Sequence, residues 1–300
     1  MERTVYDIII IGCGPAGMTA AIYARRMNLS VVVVDGGVPG GMMVNTEEID
    51  NYPGFEKVRG TDLALAMYDQ MMKLGTTHEF INVSNVRKEE DLFIVSNGEK
   101  EIIGKSVIVA TGTKNKTLGL DSERKYFYQG ISWCAICDGP LYKGKDVAVI
   151  GGGNSALSSA LTLSKFVRKV YLVHRRDEFR GDPLLVDNVK EKDNIEIIYN
   201  SNVIEFSGNP LDKITILNKN GDKRELSIAC CFEAIGRLPN SEFVDCDKDN
   251  DGFIIVNEKM ETSVKGMFAC GDIIKKGLRQ VATAVGDGAI AAMSASSYIK

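Results

Sequence analysis

Histidine is scarce in this sequence, with only His78 and His174 in 300 residues. Cysteine occurs seven times, but in no pattern that builds a scaffold. The count is odd, Cys230 and Cys231 are adjacent, and Cys134 and Cys137 form the only C-x-x-C. A secreted disulfide framework needs an even set at regular spacing. A structural zinc site needs four ligands, usually as two close pairs. Neither is expected, and no metal is expected. An excess of basic charge is also lacking: 36 Lys and Arg stand against 40 Asp and Glu, a net charge of −4. Nucleic-acid binding calls for a basic face, so no nucleic-acid partner is expected. No apolar run approaches the roughly 18 residues of a membrane helix; the stretch Ile8–Ala24 is interrupted by Gly12, Gly14, Pro15 and Gly17. The N-terminus has neither a basic n-region nor a cleavage site. The expectation is a soluble cytoplasmic protein without membrane contact. Its length and its 44% apolar, 25% charged composition suit two globular domains with separate cores.

What the chain does contain is a repeat. Tyr6–Ile11 is β-branched and apolar, as a buried parallel strand is. Gly12-Cys13-Gly14-Pro15-Ala16-Gly17 follows as a G-x-G-x-x-G, then a helical stretch through Arg26 and a second strand, Ser30–Val34. Asp35 stands at its end, 18 residues past Gly17. A shift of 139 residues reproduces the pattern. Asp146–Ile150 is a strand, Gly151-Gly152-Gly153-Asn154-Ser155-Ala156 is G-x-G-x-x-A, helix is expected to about Phe166, and Lys169–Val173 is a strand. Gly12 aligns with Gly151, Gly14 with Gly153, Gly17 with Ala156 and Asp35 with His174. Each half therefore has the form of a βαβ dinucleotide-binding unit. The first glycine permits the turn, the second admits a pyrophosphate, and the third small residue lets helix pack on strand. The helix N-terminus offers free N–H groups to phosphate.

The aligned positions distinguish the two nucleotides. Asp35 suits a ribose with both hydroxyls free, as in the adenosine of FAD, and a carboxylate there repels a 2′-phosphate. The second copy has His174-Arg175-Arg176, with Arg180 one turn beyond. Guanidinium groups hold phosphate bidentately, so this half is expected to take NADPH, although such arginines can also be a solvated surface cluster. Val107–Gly112 (V-I-V-A-T-G) and Phe232–Gly236 (F-E-A-I-G) are expected as strands closing each sheet. Gly266–Asp272 is another strand ending in Gly-Asp; Arg279-Gln280-Val281-Ala282 and a small-residue helix over Gly286–Ala295 come after it. This last segment is expected to pair with the first unit, so the chain leaves one domain, builds the other and returns.

Cys134 and Cys137 precede the second Gly turn. At this spacing two cysteines close a reactive disulfide, one serving as attacking thiolate and the other as resolving thiol. Asp138 is adjacent and can supply a proton if burial raises its pKa. Cys13 sits in the first Gly loop, where any small residue fits; Cys230, Cys231 and Cys270 read as core thiols; Cys246 lies in an acidic loop, and His78 has no motif partner.

The order of these motifs (FAD fingerprint, A-T-G, C-A-x-C-D-G, second fingerprint, H-R-R, G-D, R-Q) resembles the low-molecular-weight thioredoxin reductases of bacteria, over essentially the whole chain. The resemblance implies that Cys137 faces the flavin, Cys134 attacks the protein disulfide and Asp138 is the acid/base. It also implies a homodimer whose domains swing on two crossings, near Thr113–Thr117 and Pro239–Glu242. The expected class is α/β: two Rossmann-like dinucleotide-binding domains, an NADPH domain (117–238) carrying the C-x-x-C inserted into an FAD domain (1–113 and 242–300). Motifs and resemblance together give the expected FAD contacts as Gly12, Gly14, Pro15, Ala16, Gly17, Asp35, Gly41, Asn51, Ala110, Thr111, Gly112, Gly271, Asp272, Arg279, Gln280 and Val281. Those for NADPH are Gly151, Gly153, Asn154, Ser155, Ala156, His174, Arg175, Arg176, Arg180, Ile235 and Gly236. Two segments depart from the family pattern. Gly40-Gly41-Met42-Met43 replaces the usual G-G-Q-L, and Leu157-Ser158-Ser159 stands where an acidic pair is common. The expected activity is NADPH-dependent reduction of thioredoxin or a thioredoxin-like protein. The alternatives are a ferredoxin-linked reductase, a flavin-dependent dithiol oxidase and a flavin-binding protein without turnover. The retained second Gly loop, the arginines and the C-x-x-C argue against them.

Overall fold

A computed structural model describes residues 4–46 and 48–300. The chain divides into two compact units, Met1–Lys114 with Leu238–Lys300, and Asn115–Arg237. The first unit starts with β1 (Val5–Ile11), α1 (Pro15–Arg26) and β2 (Val31–Val34), then α2 (Gly60–Lys73), β3 (Thr77–Glu79), β4 (Asn85–Glu89), β5 (Leu92–Ser96) and β6 (Glu101–Val109). A short strand, β7 (Thr113–Asn115), leads out of it. The second unit holds β8 (Ile131–Ser132), α3 (Ala135–Asp138), β9 (Asp146–Ile150), α4 (Asn154–Leu163), β10 (Lys169–Val173), α5 (Pro183–Lys190) and β11 (Ile195–Ile198). It continues with β12 (Ser201–Gly208), β13 (Leu211–Asn218), β14 (Lys223–Ser227) and β15 (Cys230–Glu233). The chain returns through β16 (Arg237–Pro239), which pairs with β7, and ends in β17 (Met267–Ala269) and α6 (Val281–Ile299).

The first unit is built on a seven-stranded sheet in the order β3-β2-β1-β6-β5-β4, with β17 also on β6. The strands β1, β2, β3, β6 and β17 are parallel, while β5 and β4 are antiparallel. Parallel strands covered on both faces are continuously apolar, and β1 and β2 read VYDIIII and VVVV for that reason. Ile8 and Ile10 join the core under α1, α2 and α6, whereas Ile9 and Ile11 face a second core with Phe93, Ile254 and Ile273. Residue 254 lies on the returning segment, so the C-terminal piece completes this core. At Gly288 a Cβ would fall 2.2 Å from the Ala16 carbonyl oxygen, so α6 lies directly on α1 there.

The second unit has a five-stranded parallel sheet, β11-β10-β9-β15-β8, and a separate antiparallel sheet, β12-β13-β14. Val147, Val149 and Phe232 pack under α4 and α5, while Ala148, Ile150 and Cys231 face the three-stranded sheet through Phe206 and Ile214. Two element bounds differ from the sequence reading. Helix α4 stops at Leu163, three residues short of Phe166. Asn194 closes that end by donating to the carbonyls of Ser164 and Val167 at 2.9 and 3.3 Å. The C-terminal helix is longer than Gly286–Ala295. Gln280 and Thr283 form a reciprocal cap that starts it at Val281, the arrangement that satisfies otherwise unpaired N–H groups.

Candidate active site

Each Gly turn is fixed by contacts that exclude a side chain. A Cβ on Gly12 would lie 2.4 Å from the Ala110 carbonyl oxygen, and one on Gly17 1.9 Å from that of Gly12. In the second unit a Cβ on Gly151 would lie 2.5 Å from the Ala234 carbonyl oxygen and 2.8 Å from the Ala156 methyl. Thus the A-T-G and A-I-G segments press against the first glycine of each loop. Gly14 and Gly153 differ from these: a Cβ on either meets nothing within 4 Å. They open α1 and α4, whose first turns have no acidic residue and no side-chain cap. Unshielded N–H groups facing open space suit a diphosphate in both places.

Asp35 follows β2 and closes the first loop. Its carboxylate accepts the N–H groups of Cys13 and Gly37, both at 2.6 Å. Thr111 and Gly112 are held by a residue the sequence reading did not single out. Asn240 donates from its side chain to the Thr111 carbonyl at 2.9 Å and from its backbone to that of Gly112 at 3.1 Å. The Thr111 hydroxyl donates back to the Asn240 carbonyl at 2.8 Å. Gly41 and Gly14 approach one another, with a Cβ on Gly41 placed 3.4 Å from the Gly14 Cα. Asn51 donates to the Gln280 side chain at 3.1 Å. Arg279 directs its guanidinium to the carbonyls of Asp272, Ile274 and Lys276 and lies over the Phe253 ring, so it pins the turn before α6. Lys276 Nζ is 2.7 Å from Asp287 and 3.6 Å from Asp272, and Gly271 N–H donates to Asp287.

In the second unit, His174 and the arginines part company. His174 is 5% exposed. It lies beneath Gly152, where a Cβ would come within 2.2 Å of ring atoms, and its Nε2 is 3.0 Å from the Glu178 carbonyl. Burial, before any charge effect, pushes its pKa down. It shapes the loop from below. Arg175, Arg176 and Arg180 are exposed, and none is ion-paired among the described residues. The Arg180 N–H donates to the Gly152 carbonyl at 2.8 Å, which ties the arginine segment to the Gly turn. Asn154 accepts the Asp182 N–H through its side chain at 2.7 Å. Gly236 has φ +114°, and its carbonyl accepts the Lys116 N–H at 3.1 Å.

Cys134 and Cys137 are joined as a disulfide with Cα atoms 5.3 Å apart. The Cys137 N–H donates to Cys134 Sγ at 3.1 Å, and the Asp138 N–H to the Cys134 carbonyl at 3.0 Å. Ser132, on β8, donates its hydroxyl to Asp138 Oδ2 at 2.5 Å and accepts the Cys134 N–H at 3.1 Å. Burial pushes the Asp138 carboxyl above the usual carboxylate range, against a smaller lowering by the Ser132 hydroxyl. Both the backbone donor on Cys134 Sγ and a carboxyl able to hold a proton are what thiol–disulfide exchange requires. The other cysteines are free: Cys13, Cys230, Cys231 and Cys270 are buried and Cys246 half-buried. Burial raises the Cys13 thiol to about 12, and the Asp35 charge adds to it, so this thiol is inert at neutral pH. Among the described residues no His/Cys/Asp/Glu group is arranged to hold a metal, and no helix is long and apolar enough to cross a membrane.

A family model described as pyridine nucleotide-disulphide oxidoreductase matches residues 6–288. A thioredoxin reductase of Bacillus subtilis (strain 168) is 39% identical over 304 residues, covering 100% of this chain and 96% of that protein. One from Mycoplasma genitalium is 39% identical, covering 97% and 95%. Among solved structures, a thioredoxin reductase from Streptococcus pyogenes MGAS5005 superposes with a TM-score of 0.92 at 39% identity, over 99% of both chains.

Proposed function

The chain belongs to the pyridine nucleotide-disulphide oxidoreductases, and from that premise we propose that it is an NADPH-dependent thioredoxin reductase holding FAD in its first unit and NADPH in its second. The observation that carries the reading is the Cys134–Cys137 disulfide with its donor and its carboxyl, in the same unit as the second Gly turn. FAD, when bound, supplies the hydride chemistry that links a nicotinamide to a disulfide. Both cofactors fit the residues present. Gly14 and Gly153 leave uncapped helix N-termini open to a diphosphate. Asp35, already held by two N–H groups, suits a free ribose diol. Exposed Arg175, Arg176 and Arg180 suit a 2′-phosphate.

The chain's own residues then divide the exchange step. In the reduced pair, Cys134 is the attacking thiolate, because the Cys137 N–H already points at its sulfur and stabilises negative charge there. It attacks the target disulfide, forming a mixed disulfide and releasing one target thiolate. Cys137 then attacks Cys134, restoring the internal disulfide and releasing the second. Two electrons leave the pair and two enter the target, and Asp138 supplies a proton to a leaving sulfur. We read the partner as thioredoxin or a thioredoxin-like protein and the enzyme as a homodimer, as the resemblance implies, and its compartment as the cytoplasm.

The test is anaerobic mixing of the FAD-loaded protein with NADPH and, in parallel, NADH, followed by addition of a thioredoxin disulfide. NADPH is expected to bleach the flavin at far lower concentration than NADH and to drive release of two thiols per disulfide. Replacing Arg175, Arg176 and Arg180 together by Ala should erase the preference. Equal use of both nucleotides by the unaltered protein refutes the NADPH assignment. Turnover that survives Cys137→Ser refutes the C-x-x-C mechanism.

A further inference from the structure

Ser132 makes a pair of hydrogen bonds, one accepted and one donated. A hydroxyl carries one proton and two lone pairs. The Cys134 N–H can only donate, so Ser132 Oγ is the acceptor in that 3.1 Å contact. The hydroxyl proton is then available for its other neighbour, Asp138 Oδ2 at 2.5 Å. With the hydroxyl donating there, Oδ2 accepts, and a proton carried by Asp138 then resides on Oδ1. Ser132 is itself well placed to act as a fixed point. It is 5% exposed, and β8 is locked to β15 by the pairing of Phe232 with Ser132 and Cys231 with Ile131. The helical turn α3 holds Cys137 and Asp138 but belongs to no sheet. Once the disulfide opens, the covalent tie between residues 134 and 137 is gone. The bonds Ser132–Cys134 and Ser132–Asp138 then anchor that turn to the sheet.

We propose that Ser132 is a positioning residue for the exchange step: it holds the reduced pair in place against β8 and orients Asp138 so that its Oδ1 delivers the proton. The inference rests on the reading of Asp138 as acid given above. Other groups also face Asp138. Cys230 on β15 interacts with it, and burial holds that thiol well above its usual range, against a smaller pull from the Tyr142 hydroxyl. Cys230 therefore stays neutral across the pH range of interest. The Ser132 hydroxyl lowers the Asp138 pKa against the effect of burial, so its removal should raise that pKa further. An acid that must be protonated to act loses activity as pH rises through its pKa.

The experiment is the pH profile of thioredoxin-disulfide turnover at saturating NADPH, on the holoenzyme, for wild type, Ser132→Ala, Ser132→Thr and Asp138→Asn. Ser132→Ala is expected to move the alkaline limb to higher pH and to lower neutral turnover about tenfold, the worth of one hydrogen bond to a charged or proton-bearing group. Ser132→Thr, which keeps the hydroxyl, should return both towards wild type. Asp138→Asn should abolish the limb. If Asp138→Asn leaves the limb in place, the acid role of Asp138 fails and this proposal falls with it. If Asp138→Asn removes the limb but folded Ser132→Ala leaves it unmoved, the positioning role alone is overturned. A Ser132→Thr enzyme no better than Ser132→Ala also overturns it, because the hydroxyl is then not what matters.

Discussion

At the residue scale, the least ordinary side chain is Glu233, in the F-E-A-I-G segment. It is 2% exposed at the end of β15. Neither carboxyl oxygen meets hydrogen-bond geometry with a partner among the described residues, although Glu123 and the Trp133 indole lie close enough to act on it. Glu123 is already supplied with donors, accepting the N–H groups of Leu118, Gly119 and Leu120. Burial, and then the Glu123 charge, push Glu233 up to about 9 from 4.5. Between those two values the folded chain keeps a proton that the unfolded chain releases. Stability attached to this group is therefore greatest below pH 4.5 and is lost progressively as pH rises towards 9. At pH 7 the penalty is on the order of 3 kcal/mol, at about 1.4 kcal/mol per pKa unit. Glu233→Gln keeps a donor for Glu123 and removes the titration. Thermal melts of the holoprotein should show the variant more stable than wild type, with a larger gain at pH 8 than at pH 5. A gain that does not grow with pH would show that Glu233 ionises freely in the fold. The sequence marked this segment as a strand, but nothing local told that its one charged residue points into the core beside another carboxyl. Ser132 and Asn240 are likewise silent in the sequence, because each is an ordinary polar residue until the fold supplies its partner.

At the scale of elements, legibility follows the range of the forces involved. The two strand–Gly turn–helix units are readable because their constraint is local: a Cβ at Gly12 or Gly151 would fall within 3 Å of a backbone oxygen, and only glycine avoids it. The β12-β13-β14 sheet carries no such signature, and its register is fixed by distant partners in the core with Phe206 and Ile214. The end of α4 falls short of Phe166 because Asn194, from a distant part of the chain, closes it. The two glycines of one turn make separable demands. Gly151 has φ +146° and a backbone oxygen 2.5 Å from any Cβ, while Gly153 has neither a positive φ nor a neighbour within 4 Å. Gly151→Ala should destabilise the second unit by roughly 3 kcal/mol, through strain and displaced backbone. Gly153→Ala should leave stability within about 1 kcal/mol of wild type yet raise the KM for NADPH, since its methyl occupies the space above the α4 N-terminus. Denaturation curves and NADPH titrations of the two variants check the split. Equal loss of stability in both would mean that the space over Gly153 is not open.

At the scale of the whole molecule, the second unit interrupts the first in the chain, and the structure gives the terms on which the insert exists. Unit 115–237 contains a complete parallel sheet and two cores formed from its own residues. Its ends run in β7 and β16, which pair with one another. At 123 residues, counted from 115 to 237, it is within the size at which a single core sustains a domain. The first unit is in the converse position, since its core needs residues from both sides of the insertion: Ile9 and Phe93 from before it, Ile254 and Ile273 from after. Two consequences are expected. The excised 115–237 piece should unfold in one cooperative transition, form the Cys134–Cys137 disulfide, bind NADPH in titration and carry no yellow colour. A chain with 115–237 replaced by a short Gly-Ser link should retain FAD, whereas residues 1–114 alone should not, because the returning segment's share of the second core is missing. A yellow 115–237 piece would overturn the assignment of FAD to the first unit. A flavin-binding 1–114 fragment would show that the returning segment, for all its burial, is not required to close that site.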